Sequence, residues 1–61
     1  MKNLIGREII IKRGRLNENM IIEEITEIFS NVFSVKGRNL KRQMTITMDI
    51  NEINENILGG N

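Results

Sequence analysis

The chain has 61 residues, 28% of them charged, a formal net charge of +1, and no His, Cys, Trp, Tyr or Pro. Disulfides are excluded, and the usual general base, the thiol nucleophile and the best zinc ligands are missing, so a binding module is expected rather than an enzyme. Such a length supports one small domain over 1–58 with a flexible tail at 59–61, held by an aliphatic core, by oligomerisation, or by both.

Arg7 to Arg13 reads as a strand. Ile9 and Ile11 point one way, Glu8, Ile10 and Lys12 the other, and the β-branched run Ile9-Ile10-Ile11 favours extended backbone. Gly14-Arg15-Leu16-Asn17 is turn-prone and ends it. From Met20 to Phe33 two readings compete. Apolar residues at 21, 22, 25, 28, 29, 32 and 33 match helical spacing, with Asn17 or Asn19 as a cap. Against this, Ile21, Ile22, Ile25, Thr26, Ile28 and Phe29 are β-branched or aromatic, and Val32-Phe33-Ser34-Val35 also favours a strand. Periodicity alone favours the helix.

Lys36-Gly37-Arg38-Asn39 is a turn signal. Lys41 to Met48 is the clearest strand, with Met44, Ile46 and Met48 alternating with Gln43, Thr45 and Thr47. Asp49 then reads as the N-cap of a short helix, with Glu52 three residues on and Ile50, Ile53 and Ile57 along one face. The alternative for the end of this stretch is that Asn56-Ile57-Leu58 closes the fold as a short strand. The candidate core is Leu4, Ile5, Ile9, Ile11, Ile22, Ile25, Ile28, Phe29, Val32, Phe33, Val35, Met44, Ile46, Met48, Ile50, Ile53 and Ile57.

The order of these features resembles a known family. A strand opens at Gly6-Arg7 and leads to the basic loop Lys12-Arg13-Gly14-Arg15. Then come the run Ile22 to Val35, a basic turn, the alternating stretch Arg42 to Ile50 and the closing Asn56-Ile57-Leu58. Over roughly residues 6 to 58 this is similar to the Veg family of small bacterial regulatory proteins. The resemblance implies a mainly β fold, a small SH3-like five-stranded barrel with a short helical turn before the last strand. It also implies that residues 20–29 are a strand, with Ser30-Asn31 as a bend, and a role in gene regulation that includes biofilm control. The alternative fold is an α+β miniature with helices near 20–33 and 49–58.

Charge is segregated along the chain. Residues 1–17 carry five basic groups against one acid (+4), 18–34 carry four glutamates (−4), 35–48 carry four basic groups (+4) and 49–61 carry three acids (−3). In an up-and-down meander, alternate connections lie at the same end of the sheet. Lys12, Arg13 and Arg15 would then join Lys36, Arg38, Lys41 and Arg42 as a basic end that binds an acidic partner, with Asp49, Glu52 and Glu55 at the other. These seven residues are the candidate partner or nucleic-acid site. Charged turns that keep a small β-protein soluble are the plain alternative.

Duplex backbone contact is open to such a basic end, whereas base stacking is not expected, since Tyr and Trp are absent and both Phe residues read as buried. Glu23, Glu24 and Glu27 read as a solvated face, so neither a metal nor a cofactor is expected. Ile10 and Ile21, with Leu40, are expected to stay exposed and form an interface for a homodimer or a protein partner. Ile10 packed under Leu4 and Ile5 is the alternative.

No apolar run reaches the length of a membrane span and the N-terminus lacks a signal-peptide core, so a cytoplasmic protein is expected. The functional expectation is a non-enzymatic regulatory module of bacterial or phage type, acting on gene expression through a protein partner such as a transcription regulator. The alternatives are backbone binding to duplex nucleic acid and an acidic-surface inhibitor of a DNA-binding protein.

Overall fold

A computed structural model describes residues 2–40 and 42–58. A 3-10 turn, Lys2–Leu4, precedes β1 (Glu8–Arg13), β2 (Leu16–Phe29), β3 (Val32–Asn39), β4 (Arg42–Asp49) and the helix α1 (Ile50–Asn56). The strands form one antiparallel meander in the order β1-β2-β3-β4. The fold is therefore mainly β, and a helix over 20–33 is corrected to a long strand, a two-residue bend and the start of the next strand.

The helical look of β2 has a physical cause. Ile22 pairs with Gly37 and Glu24 with Lys36, so Glu23 is an extra residue; Ile28 is likewise extra between Glu27 and Phe29. Each bulge shifts the inward set by one position. Met20, Ile22 and Ile25 all turn toward the core, yet the last step is three residues rather than two. β-Alternation with an insertion imitates a 3.6-residue period.

β2 is shared between two neighbours. Its first half pairs with β1 from Arg13↔Leu16 to Glu8↔Ile21, and its second half pairs with β3 from Ile21↔Arg38 onward. Gly6 donates to the Ile22 carbonyl at 2.7 Å and Ile22 donates back to Arg7 at 2.9 Å, which extends the β1 side slightly. Beyond that point only β3 pairs with β2.

Lys36-Gly37-Arg38-Asn39 is not a turn. It is the second half of β3, and the reversal falls one residue later, at Leu40. Gly37 serves close packing instead. A methyl group on it would overlap the Ile21 carbonyl oxygen and the side chain of Met20. The glycine thus lets β2 and β3 approach with a methionine wedged between them.

Asp49 caps α1 as the spacing suggests, its carboxylate accepting from the Glu52 amide at 2.8 Å. The chain then returns to β1. Ile57 bridges Ile9, and the Leu58 amide donates to the Glu8 carbonyl at 2.8 Å. Among the described residues this is an isolated bridge beside an open four-stranded sheet, in place of the expected fifth strand.

Ile9, Ile11, Met20, Ile22, Phe33, Val35, Met44, Met48 and Ile53 form the buried core. Met20 was not among the expected core residues, and three expected members are corrected. Ile5, Ile28 and Phe29 are exposed, Phe29 to 69%. Ile28 is the bulged residue and Phe29 stands at the tip of the β2–β3 hairpin, past the end of β1. No described helix is long and apolar enough to cross a membrane.

Candidate partner-binding surface

Among the described residues, the basic side chains do not gather into one unneutralised end. Arg13, at the close of β1, reaches Glu52 at 2.7 Å and also donates to the Thr47 carbonyl. Arg38 meets Glu23 at 3.3 Å, and Arg42 meets Glu18 at 2.8 Å. Glu52 belongs to the closing acidic segment expected at the far end, yet it sits against Arg13. The curl of the long, twice-bulged β2 brings β1 across to the end of β4, which a flat meander would not do.

Of the other basic candidates, Lys36 lies mid-sheet opposite Glu24, Lys12 is exposed opposite Asn17, and Arg15 is exposed in the β1–β2 turn. Lys41 lies outside the described residues. The hydrogen bond from Arg13 to Glu52 raises the arginine pKa above its usual value; partial burial lowers it, and the charges of Glu52 and Asp49 raise it further. Arg13 is therefore a fixed cation at any physiological pH.

The acidic group Glu23, Glu24 and Glu27 is largely engaged. Glu23 accepts from Arg38 and from Gln43, both at 3.3 Å, and Glu27 accepts from the Asn31 amide at 3.3 Å. Among the described residues, no cluster of three potential metal ligands is present.

What stands out instead is Leu40. It turns the chain between β3 and β4 with φ 52°, in the left-handed region, and 93% of its surface is exposed. Two shallow open grooves share it. One is lined by Asn17, Glu18, Asn19, Asn39, Leu40 and Arg42, and its neighbour adds Glu8, Met20, Ile21 and Arg38. Asn39 stitches this region together by donating its side-chain amide to the Asn19 carbonyl.

Ile21 is exposed to 43% on this face. Ile10 is half-buried, opposite Asn19 and hence diagonal to Ile21. Ile21 and Leu40 thus line one groove beside the Arg38–Glu23 and Arg42–Glu18 pairs, and Ile10 is not among the residues that line it. The asparagines around it were not singled out from sequence. A leucine in a turn, flanked by Asn39 and Lys41 and outside every apolar alternation, was the available signal.

No protein-family model, curated protein or solved structure matches this chain.

Proposed function

We propose that the chain is a non-enzymatic cytoplasmic binding module of bacterial or phage type that acts on gene expression by docking a protein partner, such as a transcription regulator, on the Leu40 surface. The fold behind it is read as an SH3-like barrel in which Ile57-Leu58 serves as the fifth strand and α1 as the helical turn before it. The Ile9–Ile57 bridge and the Leu58–Glu8 hydrogen bond support that closure.

The observation that carries the docking surface is Leu40 itself. A left-handed backbone costs a non-glycine residue roughly 1–2 kcal/mol. Full exposure of the same leucine recovers nothing by burial. A residue that violates both rules, with no compensating burial among the described residues, is expected where a partner supplies the burial. The partner's matching surface is an apolar pocket with an acidic rim. Leu40 and Ile21 enter the pocket, Ile10 lies at its margin, and Arg38 and Arg42 face the rim. Lys12 and Arg15 are the remaining basic residues of the proposed interface, whereas Arg13, held by Glu52 and the Thr47 carbonyl, and Lys36, mid-sheet opposite Glu24, stand apart from it.

The test captures partners from a bacterial lysate with and without nuclease, then titrates the captured species against wild type, Leu40→Asn and Ile21→Ser. Asparagine suits the left-handed backbone, so the fold is retained. A nuclease-resistant protein whose affinity drops at least tenfold in Leu40→Asn is the expected result. Recovery of nucleic acid alone, insensitive to Leu40→Asn and weakening by about one log unit per log salt for each phosphate contacted, overturns the reading in favour of backbone binding.

A further inference from the structure

The outer edge of β4 differs from every other strand edge described. β4 pairs with β3 residue for residue, from Asn39↔Arg42 to Val32↔Asp49, without a bulge. Between Arg42 and Asp49, the run Gln43-Met44-Thr45-Ile46-Thr47-Met48 carries no charge. Among the described residues no strand pairs with its other side, where the bond to the backbone is Arg13 to the Thr47 carbonyl.

The remaining edges are protected. The open stretch of β2 is broken by bulges at Glu23 and Ile28 and carries Glu23, Glu24 and Glu27. The outer side of β1 is occupied by Ile57 and Leu58. Bulges, charges and cover are the devices that keep strand edges from pairing, and along its centre β4 has only the one arginine.

The Thr47 carbonyl faces the open side, so alternation along the strand puts the backbone groups of Thr45 and Gln43 on that side too. A twofold axis normal to the sheet pairs two antiparallel copies only in registers where opposed residues share a face. The register centred on Ile46 places Ile46 opposite Ile46, Met44 opposite Met48, Thr45 opposite Thr47 and Gln43 opposite Asp49. Apolar residues meet on the core side, threonines meet on the other, an amide meets a carboxylate, and no like charges are opposed. Ile46, now half-buried at the rim of the core, gains cover from its own twin.

We propose that β4 pairs antiparallel with β4 of a second copy of this chain about a twofold axis at Ile46, joining two four-stranded sheets into one, with the Arg13 guanidinium giving up the Thr47 carbonyl to the Thr45 amide of that copy. The contact is self-complementary and closes after two copies, as an isologous interface must. It lies on the β4 edge and does not depend on the Leu40 surface.

Sedimentation equilibrium of the full chain from micromolar to millimolar concentration tests it, with Thr45→Pro and Thr45→Lys as edge variants. The Thr45 amide faces away from β3, so proline removes an intermolecular donor without touching the existing ladder. Lysine at the same position blocks the edge by charge and guards against loss of fold in the proline variant. Wild type is expected to sediment at twice 7.1 kDa, and the folded variants at 7.1 kDa. The Ile46→Cys variant, whose new thiol is the only one in the chain, is expected to cross-link to its twin on oxidation. The Thr47→Cys variant, whose substituted position faces Thr45, is not. A wild type that stays monomeric at millimolar concentration overturns the proposal. So does a dimer that survives both edge variants, or one that cross-links in the Thr47→Cys variant but not in the Ile46→Cys variant.

Discussion

Arg13, at the end of β1, and Glu52, in the first turn of α1, lie thirty-nine residues apart in the chain and 2.7 Å apart in space. The same guanidinium also holds the Thr47 carbonyl of β4. One side chain therefore ties the first strand to the last and to the helix, across the side of the sheet that the strand ladder leaves open. The pair is partly exposed, so its Coulomb energy is screened and its main effect is to fix geometry.

Arg13→Ala is expected to lower stability by about 1 kcal/mol, the sum of a partly exposed ion pair and one lost carbonyl bond. Chemical denaturation of Arg13→Ala, Glu52→Gln and the double variant reads the coupling directly. The raised arginine pKa means that this contribution is fully present below the ordinary arginine value and is lost only as pH climbs through the still higher folded one. Stability arising from the arginine is therefore flat through neutral pH. Loss of the Arg13 effect between pH 7 and 10 would contradict the assignment.

Gly37→Ala is expected to be the most damaging small substitution in the sheet. Its methyl group meets backbone on one side and Met20 on the other, and a carbonyl cannot move aside as a side chain can. Overpacking of this kind costs roughly 3 kcal/mol, visible as a large fall in melting temperature. Combining it with Met20→Ala should recover part of the loss, because the wedged side chain is then gone.

The two phenylalanines should separate cleanly. Phe33 is in the core and Phe29 is mostly exposed. Phe33→Ala is expected to cost about 3–5 kcal/mol, while Phe29→Ala stays within about 0.5 kcal/mol. Equal losses in urea titrations would place Phe29 against apolar neighbours that this fold does not give it.

Asp49→Ala removes the α1 cap, with an expected cost of about 1 kcal/mol. Because α1 has seven residues and carries the buried Ile53, fraying should extend to the core. Amide exchange at Glu52 and Ile53 is the appropriate measurement, and unchanged protection there would show that packing alone holds the helix.

Leu40→Asn relieves a strained backbone and exposes no new apolar surface, so stability should rise by about 1 kcal/mol while partner binding falls. A variant that is more stable and less functional is the signature of a residue kept for recognition. Reduced stability would instead assign Leu40 a packing role at odds with its exposure.

Much of the chain was legible because its cues are local. The alternation of Ile9 and Ile11 against Glu8 and Lys12, the alternation of β4, and the Asp49 cap each depend on residues a few positions apart. Such cues report the backbone state without knowledge of what packs on it. β2 was ambiguous for an equally definite reason. Its two extra residues, Glu23 and Ile28, turn a period of two into an apparent helical spacing, and a bulge exists only relative to the strand it faces.

Gly37 and Phe29 were misread for the same kind of reason. Glycine permits a turn and also permits close approach, and only the presence of Met20 across the ladder selects the second. Phenylalanine belongs in a core wherever a core reaches it, and β1 ends before it reaches Phe29. The amino-acid sequence thus determined a small strand-rich chain with segregated charge and a capped final helix, since propensity, alternation and capping act over a few residues. Tertiary structure decided which arginine meets which glutamate, which phenylalanine is buried and where Leu40 stands, because a bulged fourteen-residue strand curls the sheet and brings remote segments together.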